Sequence, residues 1–331
     1  MPLTFDFPFE TLKTYTGINP RPDDFDSYWA AALAELEATP AESELVSATF
    51  KPGFADCHDL WFTGVGGARV HAKLVRPNAE CAGRRQGKNG LGPAVLLFHG
   101  YTGHSGDWQS KLALAASGFT VAALDCRGQG GLSQDTGGVL GNTHQGHIVR
   151  GLVEAIEGKP EKLLYRALFM DTVRLARLVM AMDGVDPARV AASGWSQGGG
   201  LTLACAALEP RIAKAAPVYP FLSDYKRVWE MDMAKDAYVE LRDWFRRFDP
   251  LHKREDDVFR ALGYIDIQHL APRVKAEVLM GMGLMDTICP PSTQMATYNK
   301  LTCKKATLVY PDFGHEDLPS HHDRILDFLC V

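Results

Sequence analysis

Six short, uninterrupted apolar runs recur along this chain, at residues 94–98, 120–124, 189–193, 214–218, 277–281 and 306–310, with helical stretches between them. A strand that is apolar at every position has no face to give to water, so these runs predict an α/β fold with a mostly parallel sheet and helices on both faces. Three earlier β-type runs, 45–50, 59–63 and 68–75, predict an antiparallel edge. The polar, Gly-rich stretch 80–92 reads as an exposed loop. Phe25, Tyr28, Trp29, Leu33 and Leu36 fall at helical spacing, which places an amphipathic helix over 24–37 within an N-terminal extension, residues 1–43. Two intervals break the rhythm. Residues 132–161 are rich in Gly and His, and 219–270 are helical, aromatic and charged. Both read as insertions that shape an entrance or an interface, and residues 1–331 read as one domain carrying them.

The strongest local signal is Gly194-Trp195-Ser196-Gln197-Gly198, between the run ending at 193 and the helical stretch GGLTLACAALE. In that strand-turn-helix setting a GxSxG is a nucleophile elbow of an α/β-hydrolase fold: the turn lifts the serine hydroxyl above the sheet, and flanking glycines let strand and helix approach. A serine hydroxyl needs a base, and imidazole suits neutral pH. In this fold the acid and then the histidine follow the serine, which leaves His315, His321 and His322. His315 lies in the loop after the last strand, so it is the expected base; the other two fall at the start of the terminal helix. Asp286, directly after the 277–281 run, is the expected acid, with Asp224 and Asp312 as competitors. Two main-chain N–H groups should receive charge on the carbonyl oxygen: Gln197, after the serine, and Tyr101, in the loop 99–103. His99 and His104 read as structural.

His315-Glu316 would begin a zinc HExxH motif, but Pro319 stands where the second histidine is required, so no metal and no cofactor are expected. Seven cysteines without a CxxC pair read as reduced thiols, and Cys289 as wall material near the acid. A formal net charge of −5 and a pI near 6.1 offer no basic patch to a nucleic acid. With no apolar span of membrane length and no signal-type start, the expectation is a cytoplasmic protein with no membrane partner.

Arg127-Gly128-Gln129-Gly130-Gly131, the elbow extended to Gly200, His315-Glu316, Asp286 ahead of Pro290-Pro291-Ser292-Thr293 and the tyrosine-bearing loop 99–108 together resemble carbohydrate esterase family 7. These are the acetyl xylan esterases, also called cephalosporin C deacetylases. The resemblance implies hydrolysis of acetyl esters, among them acetylated xylo-oligosaccharides and cephalosporins, by cytoplasmic homohexamers. A general short-chain carboxylesterase is the alternative. Arg127 is expected to brace loop carbonyls or a carboxylate such as Asp125. Tyr101 and Trp108 are expected to contact substrate and limit the acyl chain. The bulk of Trp195 has no assigned role at this stage.

Overall fold

The computed structural model describes residues 5–136 and 146–330. Every apolar run of the sequence becomes a strand: β1 (Ser43–Ser47), β2 (Ala55–Thr63), β3 (Arg69–Pro77), β4 (Gly92–Phe98), β5 (Thr120–Leu124), β6 (Val185–Trp195), β7 (Lys214–Val218), β8 (Glu277–Gly283) and β9 (Lys305–Tyr310). They form one sheet in the order β1-β2-β3-β5-β4-β6-β7-β8-β9. The first three are antiparallel, β3 meets β5 antiparallel, and from β5 to β9 all neighbours are parallel.

Continuous apolar runs follow from burial on both faces. Ala94, Leu96 and Phe98 of β4 enter the larger core, with residues of the helices Phe25–Ala38, Leu164–Met180 and Gln197–Leu208. Val95 enters the smaller core on the other face, with Ala115 of Leu112–Ala116 and with Ile325 and Leu329 of His321–Cys330. In the N-terminal helix Phe25, Tyr28, Trp29, Ala32 and Leu36 are buried, so Ala32 takes the place in the stripe expected for Leu33. The Trp29 ring stacks on Phe169 with centroids 5.6 Å apart, and its Nε1–H donates to the Tyr264 carbonyl at 3.0 Å. Burying such a side chain contributes about 2–3 kcal/mol. Upstream, the Tyr15 hydroxyl and the N–H groups of Ile18 and Asn19 all donate to Asp224, at 2.7, 3.0 and 2.8 Å.

Two expectations need adjustment. The 80–92 loop begins with a short helix, Ala79–Gly83, because the Asn78 side chain accepts the Cys81 N–H at 3.0 Å and the Cys81 side chain is buried. Of the 132–161 interval, 137–145 lie outside the described residues; the helix Leu152–Ile156 follows. The 219–270 interval is helical as expected, in the segments Tyr225–Glu230, Val239–Phe248, Glu255–Leu262 and Ile267–Leu270.

Candidate active site

Ser196 joins the last residue of β6 to the helix Gln197–Leu208 with φ 57° and ψ −119°, a conformation that costs a non-glycine residue of order 1–3 kcal/mol. Its surroundings hold it there. The Ser196 N–H donates to the Val218 carbonyl, and its own carbonyl accepts the Phe221 N–H, both at 3.0 Å. Glycine is required on each side: a Cβ on Gly194 would lie 2.6 Å from the carbonyl oxygens of Phe98 and Gly198, and one on Gly198 would run into the Phe98 carbonyl of β4.

Asp286 and His315 converge from the ends of β8 and β9. His315 Nδ1 donates to Asp286 Oδ2 at 2.8 Å, which leaves Nε2 as the unprotonated ring nitrogen. Asp286 has no exposed surface, and its other acceptor, Oδ1, takes the N–H groups of Ile288 and Cys289 at 2.9 and 2.8 Å. Tyr219, at the end of β7, packs its ring 4.4 Å from that of His315. Cys289 sits beside the pair, its sulfur within 4.8 Å of ligand atoms of Asp286 and His315. That trio has the donor types of a metal site. The geometry argues otherwise, because Asp286 already accepts from main chain and imidazole and burial pushes the Cys289 thiol well above its usual range.

The competitors are placed elsewhere. Asp224 fastens the N-terminal segment, and Asp312 is exposed. His321 is buried against Trp195 and Tyr310, with its pKa pushed down to about 4 by burial, and the His322 ring packs tilted against Trp195.

Among the described residues, no hydrogen bond runs from the main-chain N–H of Tyr101 or Gln197 to another group, so both stand available near the elbow. His99 is spoken for: Nε2 accepts the Cys126 N–H at 3.0 Å, so Nδ1 carries the proton that bonds the Gly100 carbonyl at 2.7 Å.

The sequence model of the family described as acetyl xylan esterase (AXE1) matches residues 1–331. The chain belongs to the acetyl xylan esterase family. It is similar to the crystal structure of acetyl xylan esterase 1 from Thermoanaerobacterium sp. JW/SL YS485, with 53% identity, TM-score 0.93 and 98% of each chain covered. It is also similar to the acetyl xylan esterase from Paenibacillus sp. R4, with 34% identity, TM-score 0.89, and 98% of this chain and 99% of that one covered. Acetyl esterase Axe7A of Xylanibacter ruminicola is 24% identical over 316 residues, which are 92% of this chain and 65% of that relative's length. The fold is that of an α/β hydrolase.

The run 127–131 has a visible physical role. Gln129 and Gln197 exchange amide hydrogen bonds at 2.8 and 3.0 Å, and the Tyr165 hydroxyl donates to Gln197 Oε1 at 2.6 Å. Gln197 Nε2 also reaches the carbonyls of His99 and Gly100 at 3.4 Å, so one side chain ties elbow, family motif and the 99–103 loop together. Gly128 has φ +69°, and a Cβ on Gly130 would lie 2.7 Å from the Thr102 carbonyl. Arg127 is a brace, but its carboxylate is Asp171 rather than Asp125: Nε and Nη2 donate to the two Asp171 oxygens at 2.7 and 2.6 Å. Asp125 is occupied by His71 Nδ1, the Ser105 N–H and the Leu132 N–H, at 2.6, 2.5 and 2.9 Å.

Trp108 packs against the smaller core, whereas Tyr101 packs against the larger. The Trp108 ring lies under the Lys73 ammonium at 5.0 Å, on β3, three strands away from β6. Trp195 packs between Tyr219 and His322, with centroids at 5.5 and 4.7 Å, anchoring the start of the terminal helix. Behind it a cavity of about 480 Å³ is lined by Leu97, Leu114, Trp195, Leu326 and others, but not by Ser196 or His315. Sequence reading missed Tyr219, Gln129 as partner of Gln197, and Tyr165; a ring or an amide carries no local pattern that announces a distant partner.

Proposed function

We propose that this chain is a serine esterase that removes acetyl groups from carbohydrate esters, with Ser196 as nucleophile, His315 as base, Asp286 as the acid that orients it, and the N–H groups of Tyr101 and Gln197 as oxyanion donors. The observation that carries the reading is the 2.8 Å His315–Asp286 bond past the ends of β8 and β9, together with a serine held at φ 57° in the elbow that follows β6. His315 Nε2 takes the Ser196 proton as Oγ bonds to the acyl carbon, and the carbonyl oxygen becomes an oxyanion facing the two N–H groups. Collapse breaks the ester C–O bond, and the alcohol leaves with the proton from His315. Water, deprotonated by the same nitrogen, then cleaves acetyl-Ser196 to acetate and free serine.

A short acyl group is supported by the packing beside the serine, where Phe221 and Cys289 have no exposed surface and a longer chain would have to displace them. The placement of Trp108 favours the second reading, a general short-chain carboxylesterase, because it removes one expected wall. The family's name and relatives support acetylated xylo-oligosaccharides as substrates; cephalosporin acetyl esters are proposed alongside. We further propose a cytoplasmic homohexamer whose 132–161 and 219–270 segments border the entrance. None of the seven cysteines is paired, in keeping with a reducing compartment, and no helix among the described residues is long and apolar enough to cross a membrane.

A serine-directed organophosphate is expected to add one label per chain, at Ser196, and to abolish release of acetate from acetylated xylo-oligosaccharide. Labelling elsewhere would refute the assignment. On nitrophenyl esters, acetate should exceed octanoate in kcat/KM by about a hundredfold or more, since each unaccommodated methylene costs about 1–3 kcal/mol. Equal values would favour the general carboxylesterase, and light scattering of a 36.4 kDa particle would exclude the hexamer.

A further inference from the structure

Tyr101 is held at both ends. Its main chain belongs to the 99–103 turn, where Gln197 reaches the carbonyls of His99 and Gly100. At the far end its hydroxyl donates to Glu240 Oε1 and accepts the His147 N–H at 3.1 Å. Glu240 Oε2 accepts the Val149 N–H at 2.9 Å, and the carboxyl is almost wholly buried. Two insertions therefore meet on one side chain: Glu240 stands on the helix Val239–Phe248, and residues 146–149 lie within the 132–161 segment. Gly146 fits this approach, because a Cβ there would collide with the Glu240 carboxylate. The Tyr101 ring is wedged between His147 and Phe221, with centroids at 4.9 and 5.4 Å.

No cation pairs with Glu240 among the described residues; what faces it are N–H and O–H donors. Burial pushes its carboxyl up to about 8, while the N–H groups of Val149, His147 and Ile148 pull it back. A buried carboxyl without a counter-charge opposes folding, and an apolar side chain would fill the same space without that cost. What only the carboxyl does is collect main-chain donors of one insertion and the Tyr101 hydroxyl at a single point.

We propose that Glu240 is a positioning residue of the oxyanion hole, fixing the Tyr101 N–H toward the acyl oxygen by clamping the Tyr101 hydroxyl to residues 147–149. This rests on the esterase reading of Ser196. The test compares Glu240→Met, Glu240→Gln, Tyr101→Phe and Ser196→Ala in the full chain, with nitrophenyl acetate as substrate and kcat expressed per organophosphate-titratable serine for the first three and per chain for Ser196→Ala. That normalisation removes any loss due to unfolded protein. Glu240→Met and Tyr101→Phe are expected to lower kcat by about tenfold or more with KM changed by less than about twofold, and Glu240→Gln to restore part of the rate. Affinity for a small alkyl boronic acid, whose adduct on Ser196 places an oxygen in the hole, should fall in step with kcat. Should Glu240→Met fail to fold, Tyr101→Phe decides, since it keeps the ring and loses only the clamp. Unchanged kcat and boronate affinity in the variants, with Ser196→Ala inert, would overturn the proposal; turnover by Ser196→Ala would overturn the esterase reading beneath it.

Discussion

Arg127 answers one carboxylate in the interior, and Asp171 answers one guanidinium; both side chains are at most 3% exposed. Removing one partner strands the other, so Arg127→Ala is expected to lower stability by about 3–5 kcal/mol, read as a shift of the urea midpoint. A loss below about 1 kcal/mol would mean that water or another cation reaches Asp171. The sequence suggested a brace to loop carbonyls, which Nη1 makes to Val65 at 3.2 Å, or to a carboxylate, for which it offered Asp125 where the structure has Asp171. Asp125 was attractive because it is two residues away, yet its oxygens are filled by His71, Ser105 and Leu132, and Asp171 is 44 positions distant. Trp108 teaches the same lesson, since nearness to Tyr101 in sequence suggested a place beside the acyl group, whereas its ring meets the Lys73 side chain of β3. Ser196, Asp286 and His315 were placed for the opposite reason: each follows the end of a parallel strand, where local pattern determines position.

At the scale of elements, the central strands such as β4 and β5 were legible because burial on two faces demands an unbroken apolar run, whereas the edge strands β1 and β9 are exposed or partly so. The short helix at Ala79–Gly83 was not, because its stop and start depend on one Asn cap and one buried Cys within a polar stretch. The elbow shows how closely elements pack. Gly198→Ala would drive a methyl into the Phe98 carbonyl, forcing the helix Gln197–Leu208 away from β4. The expected cost is about 1–3 kcal/mol in thermal or urea unfolding, together with slower organophosphate labelling as Ser196 moves with its helix. A variant that matched the native protein in both measurements would show that strand and helix have slack between them.

For the whole molecule, acid exposes a balance among buried titratable groups. Burial holds His147 and His321 down to about 4 and His269 to about 3. Because the unfolded histidine has a pKa near 6.5, it takes a proton first as the pH falls. The stability tied to neutral imidazoles is thus complete above about pH 6.5 and drains away down to their folded values. Glu240 and Asp266, pushed by burial up to about 8 and about 7, act in the opposite sense over the same range. Comparing the native protein with His321→Gln isolates one histidine: the difference in unfolding free energy should move by about 3 kcal/mol in favour of the variant between pH 7 and 4, at 1.36 kcal/mol per unit. A difference independent of pH would contradict the buried neutral ring. The fastening of the N-terminal segment has a further consequence for how the chain is made. Tyr15 and Trp29 meet partners 209 and 235 positions later, and a ribosome adds about 5–20 residues per second. During synthesis the stripe of Phe25, Trp29 and Leu36 therefore waits about 10 to 50 s for its seat, a client for whatever shelters nascent chains.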